Sequence, residues 1–85
     1  MNKQIKLAII GLGYVGLPLA LEFGKKKNVI GFDVNKKRIK ELNNKFDQNL
    51  EFLKKDFKSS KKLKFTNDKR DLKSINCFII CVPTP

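Results

Sequence analysis

Residues 11–18, GLGYVGLP, set three glycines in a G-x-G-x-x-G pattern at Gly11, Gly13 and Gly16. The pattern falls between an apolar run and a segment with helical periodicity, and that context gives it a chemistry. A bare first position permits a tight turn out of a strand, and a bare second lets a pyrophosphate approach the main chain. A bare third lets helix and strand pack closely. Amides at the start of a helix lack intrahelical acceptors, and the dipole behind them favours a doubly negative group. An acid at the end of the following strand completes the fingerprint. Asp33 stands 17 residues after Gly16 and 22 after Gly11. Its carboxylate suits both hydroxyls of an adenosine ribose and repels a 2′-phosphate, which favours NAD over NADP. Lys36, Lys37 and Arg38 offset part of that repulsion, and Asp33 has the plainer alternative of opening a turn.

These residues need particular elements to hold them. Ile5–Ile10 is an apolar run without alternation, as in a strand buried on both faces. A helix follows from Tyr14 to about Lys26, with Val15, Leu19, Ala20 and Phe23 on one face and Leu17 and Leu21 on another. Gly24 and the lysines after it end that helix. Val29–Phe32 reads as a second strand, and Asn35 as the N-cap of a helix through about Asn43, with Ile39 and Leu42 inward. Leu50, Leu53 and Phe57 have the spacing of a short helix. A third strand is expected around Phe65, and Asp68 can cap one helical turn holding Leu72 and Ile75. Cys77–Val82 reads as a fourth buried strand, closed by the PTP of residues 83–85.

Strands that alternate with helices and lack face alternation imply a parallel sheet covered on both sides. The expected fold is α/β, the N-terminal half of a Rossmann-type doubly wound parallel sheet with strand order 3-2-1-4. The sheet is half built at Pro85, so residues 1–85 read as a partial NAD-binding domain, truncated from a longer protein.

Composition narrows the function classes. The chain has 85 residues and a net charge of +11, but 17 of its 19 basic residues are lysines. Only Arg38 and Arg70 can offer forked donors, and no aromatic–basic stacking surface is evident, so nucleic acid is not the expected partner. No apolar run is long enough to span a membrane, and the N-terminus lacks a signal-peptide cleavage site, so a cytoplasmic protein is expected. Two cysteines and no histidine make no zinc site. Cys77 and Cys81 lie four residues apart, about 13 Å along a strand, too far for a disulfide. Both are expected in the core of a protein from a reducing compartment.

Three stretches together, KLAIIGLGYVGLPLALEFG, VIGFDVNKKRIKEL and FIICVPTP, resemble the N-terminal segment of the UDP-glucose/GDP-mannose dehydrogenase family. Within it they look most like the UDP-N-acetylhexosamine 6-dehydrogenases of bacterial polysaccharide synthesis. The resemblance implies NAD as cofactor, with the backbone of Tyr14 and Val15 meeting its pyrophosphate. It implies that Asp33 binds the ribose, that Arg38 reaches the adenosine side, and that Thr84 in VPTP contacts the cofactor. Arg38 as a solvated helix charge and Thr84 as a turn residue between prolines stand as alternatives.

The resemblance further implies a UDP-sugar substrate and a homodimeric or larger parent. It implies a double oxidation at C6 through a thioester on a cysteine downstream of this chain, so no catalytic residue is expected within it. The chain departs from the family pattern at Lys45, where many relatives have a helix-ending glycine; Asn44 can take the left-handed conformation instead. DQNLEFL replaces the loop usual in the UDP-glucose branch, although a UDP-glucose dehydrogenase remains an alternative. So does a nucleotide-sensing module of the kind attached to transport proteins.

Overall fold

The computed structural model describes residues 5–13, 15–44 and 54–81. Four short strands, β1 (Leu7–Ile10), β2 (Val29–Phe32), β3 (Leu63–Thr66) and β4 (Cys77–Ile80), form one sheet in the order β3-β2-β1-β4. All three pairings are parallel, with Leu7 level with Val29 and Cys77, and Val29 level with Leu63. Helices α1 (Gly16–Gly24), α2 (Lys36–Asn43) and α3 (Lys54–Ser59) fill the connections, and a single 3-10 turn, Lys69–Leu72, precedes β4. Fold class and strand order are those the sequence predicts.

β1 is buried because it lies between β2 and β4, and Ala8 and Ile9 are wholly inaccessible. Leu12, Leu17, Ala20, Val29 and Leu42 complete the most deeply buried set. Two predicted caps are present. The Asn35 side chain accepts from the Arg38 amide at 3.2 Å, and Asp68 accepts from the Arg70 amide at 2.9 Å. A cap of this kind is worth about 1 kcal/mol. The Arg70 guanidinium beside Asp68 also holds that carboxyl below its usual range.

Three local expectations need correction. In α1 the predicted Leu17, Ala20 and Leu21 are buried and Leu19 and Phe23 pack against the core, but Val15 is 62% exposed and the closest face is set by Gly16 and Gly24. The glycines decide this, because the side that lacks side chains approaches the sheet most closely. A methyl on Gly24 would come 2.7 Å from the Leu63 Cβ and 3.2 Å from the Ser60 Cβ. Gly24 therefore seats α1 against the entry to β3 as well as standing at the helix end. Asn44 is not left-handed. With φ −88° and ψ 9° its amide is shared between the Lys40 and Glu41 carbonyls, a tightened last turn that needs no positive φ. Leu50 and Leu53 lie outside the described residues, but Phe57 is buried in α3, its ring 6.3 Å from that of Phe65.

The third correction concerns β4, predicted as buried. Cys77 is exposed, Phe78 is 49% and Ile80 69% accessible, and Cys81 is half-buried. Both cysteines are free thiols. Among the described residues no strand pairs with the outer edge of β4, so its apolar sequence is left facing solvent. An unpaired, apolar edge is a template for association. Residues 1–85 expressed alone are expected to elute ahead of a monomer in size-exclusion chromatography, and Ile80→Lys is expected to shift them toward one. A cooperatively melting monomer without the substitution would contradict this.

Candidate dinucleotide-binding site

The glycine turn lies at the carboxyl end of β1, where ligands of open parallel α/β sheets bind. Its three glycines serve different purposes. Gly11 has φ +97°, and its amide donates to the Phe32 carbonyl at 2.8 Å, extending the β1–β2 ladder. A methyl there would run into the carbonyl oxygen of Cys81. At Gly16 a methyl would run into the carbonyl oxygen of Gly11 and come 3.3 Å from the Cys81 Cβ. Both positions are bare because the chain fills the space itself. Gly13 differs. It is exposed, its φ is not positive, and a methyl would meet nothing within 4 Å among the described residues. Among the described residues no contact calls for its bareness, and a pyrophosphate approaching the main chain at this position, as the fingerprint requires, fits that open space.

α1 begins behind this opening. Leu17 donates to the Gly13 carbonyl at 3.1 Å, the first backward bond of the helix among the described residues. The amides before it belong to the turn, as phosphate binding at a helix start requires.

Between the outer glycines, Leu12 is held at three points, and two predicted site residues do the holding. Its amide donates to Asp33 Oδ2 at 2.9 Å, and its carbonyl accepts from Arg38 Nε at 2.8 Å. Its side chain is fully buried over Gly31, where a methyl would approach the Leu12 methyl carbons to 3.2 Å and the Phe65 ring to 3.1 Å. The other oxygen of Asp33 accepts from the Asn35 amide at 2.9 Å, joining the glycine turn to the start of α2. A carboxylate offers about four acceptor positions, so these two bonds leave room for ribose hydroxyls. Asp33 in turn donates its amide to the Thr66 carbonyl at 3.2 Å, and the Thr66 hydroxyl bonds Asp71 at 2.5 Å.

The structure thus brings Gly11, Gly13, Val15, Gly16, Asp33 and Arg38 to one end of the sheet. Tyr14 and Thr84 lie outside the described residues. Sequence reasoning passed over Leu12, Gly31 and Cys81. An isolated glycine inside a strand marks a close approach, and Gly31 was the signal that something would pack on β2. No spacing in the sequence places Cys81 against Gly11.

A parallel sheet with a glycine turn, an open backbone position and a carboxylate at the end of the second strand defines a Rossmann-type dinucleotide-binding unit. Comparison narrows it. Residues 5–85 match the model of the UDP-glucose/GDP-mannose dehydrogenase family, NAD binding domain, and the chain belongs to that family. It is 57% identical to a UDP-N-acetyl-D-glucosamine 6-dehydrogenase of Salmonella typhi, over 96% of this chain and 19% of the relative. It is 52% identical to one of Pseudomonas aeruginosa, over 98% and 20%. The solved structure of a UDP-D-ManNAc dehydrogenase from Pyrococcus horikoshii superposes with a TM-score of 0.86 at 38% identity, over 95% of this chain and 21% of that one. The chain spans about a fifth of the length of the curated relatives it matches.

Proposed function

We propose that the protein carrying this chain oxidises the C6 alcohol of a UDP-N-acetylhexosamine to the carboxylate, and that residues 1–85 form its partial NAD-binding domain. The observation that carries the cofactor reading is the open space over Gly13, beside a carboxylate with acceptor positions to spare. Gly11, Gly13, Tyr14, Val15 and Gly16 would take the pyrophosphate, with main chain rather than side chains in contact. Asp33 would take the ribose hydroxyls, and Thr84 would meet the cofactor beyond β4. Arg38, whose Nε holds the Leu12 carbonyl at 2.8 Å, would also reach the adenosine side of the cofactor.

Bound NAD supplies a hydride acceptor. Carrying an alcohol past the aldehyde to an acid removes four electrons, so one sugar and one water consume two NAD and release two NADH. The residues that perform this chemistry are assigned to sequence outside the chain. The similarity to UDP-N-acetylhexosamine enzymes supports the choice of sugar.

The test uses the intact protein, a panel of UDP-glucose, UDP-N-acetylglucosamine, UDP-N-acetylgalactosamine, UDP-N-acetylmannosamine and GDP-mannose, and NADH absorbance. The expected result is turnover of a UDP-N-acetylhexosamine with two NADH per sugar. Preference for UDP-glucose would move the protein to the neighbouring branch, and one NADH per sugar would remove it from this reaction class.

A further inference from the structure

The amino ends of the strands, opposite the glycine turn, frame a half-open cavity of about 720 Å3. Parallel topology gathers there residues that are far apart in sequence. Lys6 leads into β1, Lys26 and Lys27 lie between α1 and β2, and Lys62 and Lys64 flank the start of β3. All five line the cavity, and among the described residues no carboxylate does. Apolar side chains, including Leu7, Val29 and Ile75, make up other parts of the wall.

The main chain fixes where these lysines start. The Lys6 amide donates to Asn76 Oδ1 at 2.9 Å, and the Lys26 and Lys27 amides donate to the Phe23 carbonyl at 3.1 and 3.0 Å. Lys62 donates to the Gly24 carbonyl at 3.2 Å, and Lys64 stands in register with Ile30. Little compensates their charge. Lys64 lies 3.8 Å from Asp71 and Lys27 sits over the Phe23 ring, but no carboxylate pairs with Lys6, Lys26 or Lys62 among the described residues.

We propose that this cavity is a second ligand site, for a small molecule bearing several phosphate-type charges on a ring body. Ammonium groups act on phosphate as point charges, and the apolar wall gives the ring a place to lie. The volume falls within the roughly 300–1,000 Å3 usual for small-molecule sites. The described walls carry no aromatic ring and no arginine, the groups on which single-stranded nucleic acid stacks.

The test is calorimetric titration of the intact protein with ATP and with tripolyphosphate, at one ionic strength, in the presence and absence of saturating NAD. ATP is expected to bind one-to-one with NAD present, more tightly than tripolyphosphate. Lys62→Ser/Lys64→Ser and, separately, Lys26→Glu/Lys27→Glu are expected to weaken ATP at least about tenfold, or 1.4 kcal/mol, with NAD affinity and melting temperature unchanged. ATP binding lost on NAD saturation, or undiminished in both variants, would overturn the proposal. Tripolyphosphate binding as tightly as ATP would remove the ring-bearing ligand, and tighter saturable binding of a single-stranded oligonucleotide would replace it with a polymer. The lysine variants read the ATP titration even if the protein takes no NAD, so this inference and the cofactor reading fail separately.

Discussion

Gly13→Val is expected to weaken NAD binding on the order of a hundredfold or more, about 2.8 kcal/mol, while the protein stays folded. The side chain enters open space in the free protein, since nothing described lies within 4 Å of a methyl there and the backbone is outside the positive-φ region. Valine also restricts the unfolded chain, so the melting temperature should hold or rise slightly. In the complex, however, the side chain occupies the room the pyrophosphate needs, and overpacking of that kind is not relieved by small shifts. Gly11→Ala and Gly16→Ala are the controls. Each places a methyl on a carbonyl oxygen of the protein itself, so each should lower the melting temperature before any ligand is added. Titration of NAD alongside circular dichroism separates the two behaviours. Undiminished NAD affinity in Gly13→Val would show that the phosphates bind elsewhere.

Asp33→Ala is expected to weaken NAD at least about tenfold and to narrow the gap to NADP. A hydrogen bond to a charged acceptor is worth about 1.5–3 kcal/mol, and two ribose hydroxyls are proposed to use this carboxylate. The same substitution releases the Leu12 and Asn35 amides, so some loss of melting temperature should accompany it. Asp33→Asn divides the effects. Its amide oxygen can still accept one backbone bond, while its charge no longer opposes a 2′-phosphate. It should therefore recover part of the stability yet still show the narrowed NADP gap. Equal binding of both cofactors by the unsubstituted protein would refute the assignment of Asp33 to the ribose.

The order of elements, the sheet and the position of the glycine turn were legible because they rest on local signals. Unbroken apolar runs mark β1 and β2, and Asn35 and Asp68 have the chemistry of caps. The apolar positions of α1 were legible, with Leu17, Ala20 and Leu21 buried and Leu19 and Phe23 packed against the core. Hydrophobicity misplaced Val15, which is exposed, while the closest contacts follow the missing side chains of Gly16 and Gly24. Burial of β4 was misjudged for a related reason. The expected order 3-2-1-4 already places it last in the sheet, as observed, but its residues have the composition of a central strand and suggest burial all the same. At the candidate site the sequence pointed to residues that face a ligand. It could not point to Leu12, whose importance comes from what Asp33, Arg38 and Gly31 do to it across 19 to 26 residues of chain.

The triple anchoring of Leu12 bears on how a ligand would be received. Ordering backbone costs about 1–2 kcal/mol per residue, and a turn that had to set itself around a diphosphate would subtract that from its affinity. Here one bond to the amide, one to the carbonyl and one buried side chain fix Leu12 through contacts made entirely within the chain. The ordering of Leu12 belongs to folding, so a ligand approaching the turn there would not have to supply it. At that residue the affinity of an incoming group would be set by contact and desolvation, with the backbone entropy already lost.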